Sequence, residues 1–83
     1  MIIKEEEKDA IKSLVIRGYF VDKAGLSIFM TNVKHNVKLE EDEKPYRYQI
    51  NYCGSKIYKD EVGKMYKSIN HAMDEFVELA KDV

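Results

Sequence analysis

Cys53, His35 and His71 are the side chains in this sequence that could ligate a soft metal or share a proton with a nucleophile, and they are scattered. Zinc sites need closely paired ligands or two histidines one helical turn apart, and neither spacing occurs. A Cys–His nucleophile would need an oxyanion site and a third, orienting residue, which nothing in the pattern marks. Ser13, Ser27, Ser55 and Ser68 stand in no nucleophile-elbow pattern, and there is no glycine-rich phosphate loop. These spacings point away from an enzyme, a metal site or a cofactor. His35 falls on the apolar side of its run, as a half-buried histidine would. His71 belongs to a first helical turn, where the dipole favours the neutral imidazole.

Charge offers two surfaces for binding. Asp74, Glu78 and Asp82 recur every four residues, so a helix would line them on one solvent-facing stripe with Glu75 beside them. Together with Glu40, Glu41, Asp42 and Glu43 they would present carboxylates to a basic groove, as a protein does when it imitates nucleic acid. A basic nucleic-acid-binding protein is the partner this implies. The alternative is a nucleic-acid-binding module in which Lys34, Lys38, Arg47, Lys56 and Lys59 track a phosphate backbone while sheet tyrosines stack on unpaired bases. Each reading has a plainer counterpart. Charge runs are usually solvated faces, and tyrosines sharing a strand face with Ile50 usually pack in a core with their phenols at the rim.

The elements that would carry these side chains follow from periodicity. Ile69, Ala72, Met73, Phe76, Val77, Ala80 and Val83 recur at helical spacing over 68–83, with Ser68 as the N-cap. Ile3, Ala10, Ile11, Leu14 and Val15 predict a second amphipathic helix over about 4–17. Glu5, Glu6 and Glu7 lie in its first turn, Gly18 is its stop, and Tyr19 or Phe20 folds back onto it. Between the helices the period is two. Residues 22–25 read as a turn and 26–30 as a strand. Residues 33–39 alternate in the opposite phase, so Thr31 and Asn32 mark a tight turn or a bulge, with the turn preferred. Residues 40–45 form a polar connection. Tyr46, Tyr48, Ile50 and Tyr52 alternate with Arg47, Gln49, Asn51 and Cys53 as a central strand. Gly54 and Ser55 turn the chain, 56–59 pairs back, 60–63 is a loop, and Met65, Tyr66 and Lys67 lead into Ser68.

The expected architecture is a single α+β domain over residues 1–83: helix, three- to four-stranded antiparallel sheet, helix, with both helices on one face of the sheet. Lys34, Lys38, Arg47, Gln49 and Asn51 would then lie on the open face, and a second copy of the chain could cover the last strand as a homodimer. With 83 residues there is no room for a deep enclosed cleft. An apolar fraction of 45% suits a folded globule, and a net charge of -1 argues against nucleic-acid binding driven by overall charge. One cysteine allows no internal disulfide, and the sequence has neither a signal-peptide pattern nor a membrane-length apolar run, so a cytoplasmic, membrane-free protein is expected.

In element order the chain resembles double-stranded RNA-binding domains, but the basic cluster those domains carry at the start of the last helix is here Ser68, Ile69, Asn70, His71, Ala72 and Met73. In size, acidic loops and mixed helix-sheet build it also resembles the small inhibitors encoded by phages and mobile elements, including anti-CRISPR proteins. The second resemblance implies a small inhibitor that binds a protein partner, and it transfers no individual residues.

Overall fold

The computed structural model describes residues 1–33, 38–52 and 64–83. The expectations for Lys34, His35, Cys53, Lys56 and Lys59, the turn at Gly54 and Ser55, the strand at 56–59 and the loop at 60–63 lie outside the described residues.

The first helix, α1, runs Glu5–Ile16 with Glu5, Glu6 and Glu7 in its first turn. Gly18 ends it by taking φ +92°. Its N–H donates to the Val15 carbonyl at 2.9 Å and the Tyr19 N–H to the Leu14 carbonyl at 3.0 Å. This pair of bonds satisfies two carbonyls that the helix end would otherwise orphan. Phe20 does not fold back onto the helix; its ring stacks on Phe29 at a centroid distance of 5.4 Å.

Four strands follow, β1 Val21–Lys23, β2 Leu26–Asn32, β3 Tyr46–Tyr52 and β4 Lys64–Tyr66, and then α2, Ile69–Ala80. They form one antiparallel sheet in the order β1-β2-β3-β4. The domain is therefore α+β, a helix, a four-stranded antiparallel sheet and a helix. Lys23 pairs with Leu26, so the β1–β2 turn contains only Ala24 and Gly25, both at positive φ (+54° and +87°). Asp22 braces it by accepting the Gly25 N–H at 3.0 Å. Two-residue turns of this kind match the twist of the flanking strands but favour asparagine then glycine. Replacing Ala24 by Asn is expected to stabilise the domain by up to about 1 kcal/mol, read as a higher urea midpoint, because Asn tolerates the left-handed region better than Ala.

Thr31 and Asn32 form neither a tight turn nor a bulge. They pair with Arg47 and Tyr46 as the last two rungs of an unbroken β2–β3 ladder, and the Val33 N–H goes on to the Pro45 carbonyl at 3.0 Å. The ladder hydrogen bonds override the apparent change of phase. β4 is a further difference. Met65 and Tyr66, expected with Lys67 to lead into the last helix, instead pair with Gln49 and Tyr48, and Lys64 before them pairs with Ile50.

Leu26, Ile28, Ile50, Tyr48 and Tyr66 are buried on one face of the sheet with Val21, and a single core joins them to Ile11 and Val15 of α1 and to Ala72, Met73, Phe76 and Ala80 of α2. Met30, Tyr46, Ile69, Val77 and Val83 pack against its margin. Ser68 caps α2, accepting the His71 N–H at 3.4 Å. At the other end of α2 the Met1 ammonium donates to the carbonyls of Ala80 and Val83 at 2.8 and 2.7 Å. A positive group there also complements the negative end of the helix dipole.

Candidate binding surface

The acidic connection is held in place by one of its own carboxylates. Glu43 Oε2 accepts from Arg47 Nη2 at 2.6 Å and Glu43 Oε1 from Lys67 Nζ at 3.3 Å. The other arm of the guanidinium, Nη1, donates to the Lys44 and Tyr46 carbonyls, each at 2.8 Å. Glu43 thus staples the loop to the start of β3 and to the residue before the α2 cap. Partial burial pushes its carboxyl up, but the hydrogen bond and charge of Lys67, joined by those of Arg47, outweigh this and leave it below its ordinary range.

A lowered carboxyl pKa stabilises the fold at and above the ordinary value of 4.5, and that contribution is lost as pH falls through the lowered one. The difference in urea midpoint between neutral pH and about pH 3 is therefore expected to be smaller in Glu43→Gln than in the native chain. An unchanged difference would show that the ionisation of Glu43 contributes nothing to stability.

The α2 carboxylates are partly compensated. Asp74 accepts from Lys8 Nζ of α1 at 2.7 Å, a hydrogen bond that together with the lysine's charge lowers the Asp74 pKa and raises that of Lys8. Glu78 pairs with Lys81 at 3.0 Å, and Glu75 lies 3.9 Å from His71 Nε2. Glu40, Glu41, Asp42 and Asp82 are exposed, with no ion pair among the described residues. Asp82 lies beyond the far end of α2, about 20 Å along the helix from the Lys67 staple. The eight acids are thus divided. Glu40, Glu41 and Asp42 are exposed with no ion pair among the described residues, Glu43 is internal to the staple, and Asp74 and Glu78 are each tied to a lysine.

Of the five cations considered for nucleic acid, Lys34, Lys56 and Lys59 lie outside the described residues and Arg47 is engaged by Glu43 and two carbonyls. Lys38 is exposed. Tyr48 and Tyr66 belong to the core, and Tyr46 packs at its margin. Tyr48 and Tyr66, cross-strand partners, are 7% and 9% exposed, which leaves no ring face for a base. Burial first, then the neighbouring Tyr46 phenol for Tyr48 and the Glu75 charge for Tyr66, raises their pKa values, so both phenols stay protonated at neutral pH. Among the described residues no three His, Cys, Asp or Glu side chains are grouped to hold a metal ion, and no helix is long and apolar enough to cross a membrane.

No protein family model, curated protein or solved structure matches the chain.

The sheet face away from the core is not the polar platform its sequence suggests. Gln49 and Ser27, which alternate with buried core residues, are themselves only 6% and 3% exposed. Gln49 Nε2 donates to Asn51 Oδ1 at 2.9 Å, and Ser27 Oγ reaches the Asn51 carbonyl at 3.4 Å. Phe29 opposes Gln49, and Gln49 opposes Met65. Phe20, stacked on Phe29, is 62% exposed and Met65 is 59% exposed. None of these three apolar residues stands out as a site residue in the sequence. The available signal is that Phe29 shares its strand phase with Ser27 and Thr31 rather than with Leu26 and Ile28.

Proposed function

We propose that this domain is a small non-catalytic interaction or inhibitor protein of the cytoplasm, and that it docks a basic protein partner through the carboxylates of its 40–45 loop. The observation that carries this reading is the Glu43 staple. Because Glu43 is held by Arg47 and Lys67, the three exposed acids before it are presented from an anchored loop rather than a loose one. Charges held in a fixed arrangement give up less freedom on docking and steer encounter with an oppositely charged surface. The lone Cys53, which leaves no internal disulfide, supports the cytoplasmic setting.

The test is affinity capture from lysate with the native chain and with the charge-reversed variant Glu40→Lys, Glu41→Lys, Asp42→Lys, each with and without nuclease. The expected result is a stoichiometric protein that survives nuclease, is released by rising salt, and is absent from the reversed variant. Equal recovery on both forms would overturn the acidic-loop reading. Recovery that vanishes with nuclease would favour a nucleic-acid module instead.

A further inference from the structure

We draw no further inference here: the strongest candidate, the surface patch of exposed Ile16, Tyr19 and Phe20 where α1 passes into β1, carries nothing because nothing in the structure shows what covers it.

Discussion

Phe76→Ala is expected to destabilise the domain by about 3–5 kcal/mol, the usual range for truncating a fully buried aromatic and leaving a cavity. Phe76 is among the largest side chains with no exposure in the structure, and it joins the α2 stripe to the core that includes Leu26, Ile28 and Ile50. Domains of this size have only about 5–15 kcal/mol in total, so the variant should melt more than about 10 °C lower. Urea denaturation followed by circular dichroism would measure it. A loss below about 1 kcal/mol would mean that α2 is not seated on the sheet as described.

Gly18→Ala is expected to cost about 1–2 kcal/mol, although the added methyl group meets nothing. An ideal Cβ at Gly18 has no heavy atom within 4 Å beyond its chain neighbours, so sterics from elsewhere in the fold cannot contribute. The cost is torsional. At φ +92° an L side chain is disfavoured, and relaxing to a negative φ would break the bonds from Gly18 to Val15 and from Tyr19 to Leu14. Gly18→Asn should recover part of the loss because asparagine tolerates this region better. Equal denaturation midpoints for the native chain and Gly18→Ala would show that the α1 end adopts another conformation.

The helices were legible because their signals are local and agree with one another. The Ile69, Ala72, Met73, Phe76 and Ala80 stripe, the Ser68 cap and the Gly18 stop each lie within a few residues of the contact they predict. β3 was equally plain, since Tyr48 and Ile50 alternate without interruption. The strand pairings were harder. Thr31 and Asn32 look like turn residues, but they are committed by partners at Arg47 and Tyr46, fifteen residues or so along the chain, which no local pattern encodes. The pairing of 64–66 with β3 was missed because Lys64, Met65 and Tyr66 show no alternation of their own that separates a strand from a lead into α2. The candidate site was half visible. A run of acids can be read directly, whereas only the Glu43 to Arg47 and Lys67 pairings distinguish the acid that anchors the loop from those that face outward. Phe20, Phe29 and Met65 come from three separate segments, so their shared side of the sheet is known only once register is known.

Among the described residues the sheet ends on one side at β1, which is three residues long and lies beside the seven-residue β2. A border of three residues offers an incoming chain only a few ladder bonds, too few to offset the freedom that chain would lose. On that side the longer β2, a stronger template for fibril growth, is thereby enclosed. At the β1 edge, beside the exposed Phe20, growth along the hydrogen bonds is thus cut short by the brevity of the strand itself.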